Sequence, residues 1–225
     1  MYITEQYPRE NGRDYAIRIL KDNIIRLELA PGSSINAREV ADQLHLSRTP
    51  VREALLELAK SKIVEVYPQS GSVVAYIDYD LIDEARFVRG VLETAVVELV
   101  CTMAAPEGIL ELEHNVKLQE FYREDKKLEK LLELDNEFHY MLFRIAGKLQ
   151  AYELMKSITV HFDRVRNMSL NAVSDLKLVD DHRAILEAVV AHDGALARRE
   201  MEKHLERYKI DEEAIRRMYP EYFKE

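Results

Sequence analysis

The chain has 225 residues, 47% of them hydrophobic, and its few glycines and prolines favour a largely helical protein. Its net charge is −9, with −1 in residues 1–78 and −8 in residues 79–225, so any affinity for nucleic acid must come from a local basic patch. The single Cys101 excludes an intramolecular disulfide, residues 1–20 lack the apolar run of a signal peptide, and no apolar stretch is long enough to span a membrane. We therefore expect a soluble, cytoplasmic protein.

Residues 12–32 and 36–45 predict two short helices. In the first, apolar residues recur at helical spacing until Pro31-Gly32 stops the helix. These apolar residues are Ile17, Leu20, Ile24 and Leu27. In the second, Asn36 is expected to be the N-cap, and Glu39 follows three residues later, which resembles a capping box.

A third helix is predicted in the stretch SRTPVREALLELAKSK, residues 47–62. Pro50 is tolerated there because it lies in the first turn, and Ser47 or Thr49 is expected to cap the helix start. One face is apolar and consists of Val51, Ala54, Leu55 and Leu58. Two β-rich runs then flank the turn residues 68–72, which predicts a hairpin. Three helices followed by a hairpin predict a winged helix-turn-helix.

The start of this third helix has side chains suited to DNA. Arg48 and Arg52 lie four residues apart on the face opposite the apolar one, close to the hydroxyls of Ser47 and Thr49. In a helix-turn-helix the second helix enters the major groove, where arginine reads guanine, and hydroxyls and helix N-terminal amides bind phosphate. The alternative is a solvated face with ordinary surface arginines. The capped helix before this segment and the hairpin after it favour DNA.

The stretch LELAPGSSINAREVADQLHLSRTPVREALLELAKSKIVEVYPQSGSVV resembles the DNA-binding domain of GntR-type bacterial transcriptional regulators. The resemblance covers residues 15–77, and its SRTPVREAL core is highly specific. It implies six DNA-contacting positions, namely Arg38, Ser47, Arg48, Thr49, Arg52 and Gly71. Two positions depart from the family, because His45 and Lys62 replace glycines. Histidine tolerates a positive φ angle better than most residues, and both replacements affect how the helices end.

Beyond residue 78 the pattern changes to long helical periodicity. Helices are predicted at 79–104, 107–123, 126–146, 149–171, 175–192 and 194–216, with breaks that include Gly147 and the region from Asn171 to Ser174. Their short connections imply antiparallel neighbours. The fold is therefore predicted to be mainly α, with a winged helix-turn-helix DNA-binding domain at 1–78 and an all-α bundle of about six helices at 79–225.

Four side chains in this half are suited to one metal ion. Asp135 and His139 lie four residues apart on one predicted helix and project side by side, while His182 and His204 lie on two others. A carboxylate and three imidazoles that converge in a bundle suit a transition metal. Any one of these histidines taken alone is more often an ordinary residue. That ordinary interpretation is kept for the other four, which are His45, His114, His161 and His192.

The second half resembles the FCD ligand-binding domain of the FadR-like branch of GntR regulators. The resemblance rests on RGVLE (89–93), DNEFHYMLFRIAG (135–147), DHRAILEAV (181–189) and MEKHL (201–205), and covers residues 79 to about 215. It implies that Asp135, His139, His182 and His204 bind one divalent transition metal per chain. Zinc is expected, with nickel, manganese and iron as alternatives. Lys148 replaces an asparagine of the family at a position that is not a ligand.

Four protein ligands leave room on a five- or six-coordinate ion for water or an effector carboxylate. The resemblance places Arg89 at the family's conspicuous arginine on the first bundle helix, where its guanidinium is expected to bind the carboxylate at two points. The alternative is an i, i+4 pair with Glu93 on a solvated face. Arg164 and Arg166 are further candidates for effector binding.

The predicted function is sequence-specific transcriptional regulation, with repression relieved by a small carboxylate effector. The partners expected are a palindromic double-stranded DNA operator and a second copy of the chain, because helix-turn-helix proteins read paired half-sites with matching symmetry. The alternative is a metal-dependent enzyme, a hydrolase or an oxygenase, whose bundle is catalytic. Against the enzyme, the sequence has no separate general base or nucleophile signature near the motif. A purely structural metal, or a polar cluster without metal, is a third possibility.

Overall fold

The computed structural model describes residues 1–172 and 177–224, with the backbone alone at 170–172 and 208–211. The chain divides into two compact units, one formed by residues 1–79 with the residues from Tyr219 onward, and one formed by residues 80–218. The second domain was predicted to contain all residues from 79 to 225, whereas the structure groups the residues from Tyr219 onward with the first unit. The helix break predicted around Ser174 and the helix start predicted at 175 lie outside the described residues.

The first unit contains the predicted winged helix-turn-helix. Its elements are α1 (Gly12–Ile25), β1 (Ser34–Ile35), α2 (Ala37–Leu44), α3 (Arg48–Lys60), β2 (Val64–Tyr67) and β3 (Gly71–Val74). The strands form an antiparallel sheet in the order β1-β3-β2, with Ser34 opposite Val73 and Val64 opposite Val74. The hairpin is confirmed. Strand β1 was not predicted, because two residues are too few to show an alternating pattern.

Local capping explains where the first helices begin. Oδ1 of Asn11 accepts a hydrogen bond from the backbone N–H of Asp14 at 2.9 Å, and Oδ1 of Asn36 accepts one from Arg38 at 3.0 Å. The predicted N-cap of α2 is confirmed. Glu39, however, bonds the side-chain amide of Asn36 at 2.8 Å, so the capping box is incomplete. The predicted face of α1 is partly wrong. The residues buried on α1 are Tyr15, Ala16, Ile19, Leu20, Asn23 and Ile24, while Ile17 and Leu27 remain partly exposed.

His45 and Lys62, the two departures from glycine, both adopt the left-handed conformation. Their φ angles are 54° and 58°. Each residue ends a helix in a Schellman-type turn, in which Leu46 N–H bonds the carbonyl of Ala41 at 2.9 Å and Ile63 N–H bonds that of Leu58 at 3.3 Å. The turns therefore keep the backbone that glycine would adopt without strain.

We expect Lys62→Gly to raise the free energy of unfolding by about 0.5–1 kcal/mol, because glycine relieves the left-handed strain of a side chain. Urea unfolding measures this change. Lys62→Ala is the control, since it removes the same charge but keeps the strain, and it should leave stability nearly unchanged. An equal gain in both variants would assign the effect to the lysine side chain and contradict the backbone explanation.

The C-terminal segment returns to the first unit. The N–H of Ile77 donates to the carbonyl of Tyr222 at 2.8 Å, and the N–H of Lys224 donates to the carbonyl of Ile77 at 2.9 Å. The rings of Tyr79 and Phe223 stack with their centroids 5.4 Å apart. These contacts join residues about 145 positions apart in the chain, and no local pattern in the sequence indicates them.

The second unit is helical, as predicted. Its helices are α4 (Tyr79–Met103), α5 (Pro106–Glu124), α6 (Leu128–Ile145), α7 (Leu149–Ile158), α8 (Val160–Ala172), α9 (Leu178–Val190) and α10 (Gly194–Met218). The single helix predicted at 149–171 is two helices separated at Thr159. Three consecutive β-branched residues, Ile158-Thr159-Val160, lie at this break and have low helix propensity.

The core of the second unit holds its helices in register. Helix α9 packs against α5 and α10, while α6 packs against α5, α7 and α8. Fully buried Phe138, Phe143, Ile185, Val189 and Met201 belong to one apolar cluster. Rigid packing of this kind fixes the polar side chains on the same helices. Within the described ranges, no helix is both long and apolar enough to cross a membrane.

Candidate functional site

The six positions predicted to contact DNA are all exposed. Arg38 lies on α2, Ser47 precedes α3, Arg48, Thr49 and Arg52 lie in its first turns, and Gly71 begins β3. In the part of the chain that the structure describes, no ion pair engages the guanidinium groups of Arg38, Arg48 or Arg52. Free guanidinium groups at a helix N-terminus form an electropositive surface suited to phosphate.

The backbone around α3 supports this surface. Ser47, one of the two residues expected to cap the helix, has the extended backbone of an N-cap, yet its side chain makes no capping hydrogen bond. Its hydroxyl is therefore available to another partner. Arg52 and Gly71 line the same groove, between α3 and the wing hairpin. Gly71 has a φ angle of +102°, which favours glycine at the tip of the wing.

Four side chains converge inside the second unit. Asp135 and His139 lie on α6, His182 lies on α9 and His204 on α10, and one ligand atom from each lies within 4.8 Å of the others. Nε2 of His204 lies 3.2 Å from Nε2 of His139 and 3.3 Å from Nε2 of His182. Oδ1 of Asp135 lies 3.4 Å from Nε2 of His182. The predicted set of four is therefore brought together.

Burial keeps these histidines neutral. Burial lowers the pKa of His204 to about 4, and it lowers the pKa of His139 and of His182 below the ordinary value. The positive charge of Arg89 contributes to all three shifts. Neutral imidazole is the form that binds metal, so the cluster is in its ligand form at neutral pH.

The other ring nitrogen of each histidine faces an acceptor. Nδ1 of His139 contacts Oε2 of Glu93, and Nδ1 of His182 lies 2.8 Å from Oε1 of Gln119. Nδ1 of His204 faces Oδ2 of Asp181 at 3.6 Å. Acceptors on this side place the proton on Nδ1, so that the lone pair of each Nε2 points into the cluster. Outer-shell partners of this kind orient metal-binding histidines.

The arrangement fits a transition metal. Ligand atoms about 2.1 Å from a tetrahedral ion lie roughly 3.4 Å apart, close to the spacings of 3.2, 3.3 and 3.4 Å given above. The three Nε2 lone pairs and the carboxylate repel one another, because no proton lies between them. A cation at the centre converts that repulsion into attraction. Nitrogen and oxygen donors suit zinc, nickel, manganese or iron, so the cluster can hold a metal ion without indicating which one.

Arg89 lies against this cluster, and its side chain is only 3% exposed. Its Nε donates to Oε1 of Glu93 at 2.5 Å, and its Nη2 lies 3.3 Å from Nε2 of His139. The pair with Glu93 thus exists, but it is buried beside the cluster and does not lie on a solvated face. Burial alone would raise the pKa of Glu93, but Arg89 holds that pKa below its ordinary value.

Of the two further arginine candidates, Arg166 faces the cluster. Its Nη2 contacts Oδ2 of Asp135, and its Nη1 lies 3.2 Å from Oδ1 of Asp163. Arg164 lies two residues earlier on α8, and residues two apart do not share a helix face. Arg164 is fully buried, and burial lowers its pKa to about 10.

Sequence reasoning missed most of the outer shell. Gln119 and Asp181 were not predicted to have a role, and Glu93 was considered only as a surface partner. Asp181 is itself held by Arg207, whose Nε donates to Oδ2 at 2.7 Å. The only signal for Asp181 was its place beside His182 in a matching motif. Gln119 had none, because its partner lies 63 residues away.

Comparison with known families matches both units. Residues 14–74 match the model described as bacterial regulatory proteins, gntR family, and residues 84–207 match the FCD domain. The first match contains α1 from Asp14 onward, α2, α3 and the wing. The second contains all four converging side chains and the three outer-shell residues Glu93, Gln119 and Asp181.

Individual relatives of the chain are transcriptional regulators, in agreement with the two family matches. The chain is 36% identical to an HTH-type transcriptional regulator in an unstable DNA locus of Streptomyces ambofaciens, over 96% of this chain and 90% of the relative. It is 31% identical to the HTH-type transcriptional repressor RspR of Escherichia coli (strain K12), over 99% and 98%. Among solved structures, E. coli McbR/YncC has a TM-score of 0.79 at 20% identity, covering 93% of this chain and 99% of that one. The last likeness shows the fold.

Proposed function

The chain belongs to the GntR family of bacterial transcriptional regulators and carries an FCD domain, and on this basis we propose that it is a metabolite-responsive regulator. Its first unit binds a palindromic operator in the cytoplasm. Its second unit binds one divalent metal and a small carboxylate, which together modulate operator affinity. The observation that carries this proposal is the buried cluster of Asp135, His139, His182 and His204, with Arg89 and Arg166 beside it.

Operator binding is assigned to the exposed start of α3 and to the wing. We propose that the chain acts as a homodimer, because a helix-turn-helix reads two half-sites related by two-fold symmetry. An exposed apolar stripe on α4, which includes Phe87, Val91 and Leu99 at intervals of one helical turn or two, supports self-association. A bidentate arginine at each half-site supplies base recognition.

The metal is assigned to the four converging ligands, and a metal held there would supply an open coordination position for an anionic oxygen. The outer shell formed by Glu93, Gln119 and Asp181 supports this assignment, because it directs the three Nε2 lone pairs to one point. We expect zinc, since three histidines and a carboxylate suit it.

Repression is the proposed direction of control, and the relative RspR, named as a repressor, supports it. The enzymatic alternative is set aside, because the family and the relatives are transcriptional regulators. A purely structural metal remains the second candidate role for the cluster. The arginine pair beside the ligands favours sensing, since a structural site needs no anion-binding groups.

The test begins with selection of DNA from a random pool by the full chain, which should yield a palindrome. Operator affinity is then measured for zinc-loaded and chelator-treated protein against a panel of small carboxylates. We expect one class of carboxylate to shift operator affinity 5- to 150-fold, which corresponds to about 1–3 kcal/mol of coupling. If the affinity for the selected operator responds to none of the carboxylates, with or without zinc, the result would support the structural role instead.

We expect the metal and the carboxylate to bind cooperatively, because Arg89 contacts a metal ligand and is also the proposed carboxylate-binding group. Nε2 of His139 lies within hydrogen-bond reach of Nη2 of Arg89, and one lone pair cannot serve both this donor and a metal. Metal binding therefore releases a guanidinium donor to the effector. We expect the carboxylate that releases DNA to bind zinc-loaded protein at least tenfold more tightly than zinc-free protein or Arg89→Lys. Isothermal titration of the three samples measures this, and equal affinities would contradict the mechanism.

The Arg89→Lys variant is chosen because lysine keeps the charge but cannot bind a carboxylate at two points. Arg86→Lys, on the same helix but at a partly exposed position, is its control. It should bind the carboxylate as the unmodified protein does.

A further inference from the structure

A chain of three side-chain hydrogen bonds leads from the backbone of α6 to His182. Nδ2 of Asn115 donates to the carbonyl oxygen of Leu134 at 3.1 Å, and Nε2 of Gln119 donates to Oδ1 of Asn115 at 2.6 Å. Oε1 of Gln119 then lies 2.8 Å from Nδ1 of His182. Asn115, Gln119 and His182 are all buried, so water does not compete for these bonds.

The backbone carbonyl sets the direction of the whole chain, because it can only accept a hydrogen bond. The Asn115 amide must therefore turn its NH2 group to Leu134 and its oxygen to Gln119. Gln119 must in turn direct its NH2 group to Asn115 and its oxygen to the histidine. Only one partner remains for that oxygen, a proton on Nδ1 of His182. The lone pair of His182 is then on Nε2, which faces Oδ1 of Asp135 at 3.4 Å.

We propose that Asn115 and Gln119 are positioning residues that fix His182 in its Nδ1-protonated tautomer and so prepare Nε2 to bind the metal. The inference rests on the metal site of the proposed function and adds the residues that orient one of its ligands. A glutamine side chain can rotate by half a turn and present its NH2 group instead. Asn115 prevents that rotation, because the rotated amide would place its oxygen against Oδ1 of Asn115.

This relay explains why the acceptor beside His182 must be held in one orientation, whereas the acceptors beside the other two histidines need not be. His139 and His204 face the carboxylates of Glu93 and Asp181, and a carboxylate accepts whichever way it turns. An amide does not. Without Asn115, Gln119 would allow the Nε2-protonated tautomer of His182, whose proton would occupy the position of the metal.

The tautomer can be measured without metal. Nitrogen-15 NMR of histidine-labelled, zinc-free protein at neutral pH distinguishes a protonated from an unprotonated ring nitrogen. We expect His182 to show protonated Nδ1 and unprotonated Nε2 in the unmodified chain, and a mixture of both tautomers in Gln119→Met and in Asn115→Leu. Observation of Nε2–H as the main form in the unmodified chain would overturn the inference.

Zinc affinity, measured by competition with a chelating dye, gives the second readout. Gln119→Met, which preserves side-chain length, should weaken zinc binding 10- to 100-fold, the usual effect of losing an outer-shell partner. Asn115→Leu should weaken it by less. The double variant should bind zinc as Gln119→Met does, because Asn115 acts only through Gln119. Losses that multiply in the double variant would indicate a packing effect and overturn the relay.

Glu137→Ala is the matched control. Oε2 of Glu137 lies 3.3 Å from Nδ2 of Asn115, but the carbonyl of Leu134 still orients the amide without it. Zinc affinity should stay within twofold and the His182 tautomer should not change. If the unmodified chain binds no zinc, the proposed metal site fails, while the tautomer measurement still supports or overturns the relay.

Discussion

His139→Ala is expected to reduce the metal content of the purified protein from about one ion per chain to near zero. The substitution removes one of four converging ligand atoms and leaves the buried carboxylate of Glu93 without its imidazole partner. Loss of a ligand should exceed the 10- to 100-fold loss typical of an outer-shell change. Elemental analysis of protein prepared without a histidine tag measures the content directly.

The effect of zinc on the unfolding midpoint is an independent test of the same substitution. A metal that binds only the folded chain adds about 2.7 kcal/mol when its free concentration is 100 times its dissociation constant. Zinc should therefore raise the unfolding midpoint of the unmodified protein and leave that of His139→Ala unchanged. His114→Ala, at an exposed position on α5, is the control and should keep both the metal and the stabilisation. Equal metal content in His139→Ala and the unmodified chain would contradict the assignment.

Arg48→Ala and Arg52→Ala are each expected to weaken operator binding by about 1–3 kcal/mol, or roughly 5- to 150-fold, if they read bases. Both guanidinium groups are exposed and pair with no described carboxylate, so their removal should not disturb the fold. Gel-shift titration with the selected operator measures the loss, and thermal unfolding checks that the variants remain folded.

Two further variants separate base recognition from simple charge. Arg48→Lys keeps the charge but loses bidentate geometry, so a base-reading role predicts a large loss and a phosphate-binding role a small one. Lys60→Ala is the control, because it removes one charge from the other end of α3, about 18 Å along the helix axis. It should leave operator affinity nearly unchanged. Full affinity in both Arg48→Ala and Arg52→Ala would show that DNA is bound elsewhere.

The sequence by itself determined most of the secondary structure, apart from β1 and the break at Thr159, and part of the candidate site. Helical spacing of apolar residues, the Asn36 cap and the turn at 68–72 predicted the helices and the wing, because these signals act between near neighbours in the chain. The left-handed conformation of His45 was also foreseeable, since histidine tolerates it. The i, i+4 spacing of Asp135 and His139 placed two ligands on one helix face.

From the sequence, only the family resemblance singled out His182 and His204 as ligands beside that pair. The tertiary structure brings the four side chains together. It also decided that Arg89 and Glu93 are buried beside the cluster, because i, i+4 spacing does not say whether a helix face meets solvent or another helix. The hydrogen bond of Gln119 to His182 and the return of Phe223 to Tyr79 join residues far apart in sequence. Such contacts depend on how packed helices approach one another, and no spacing along one helix contains that information.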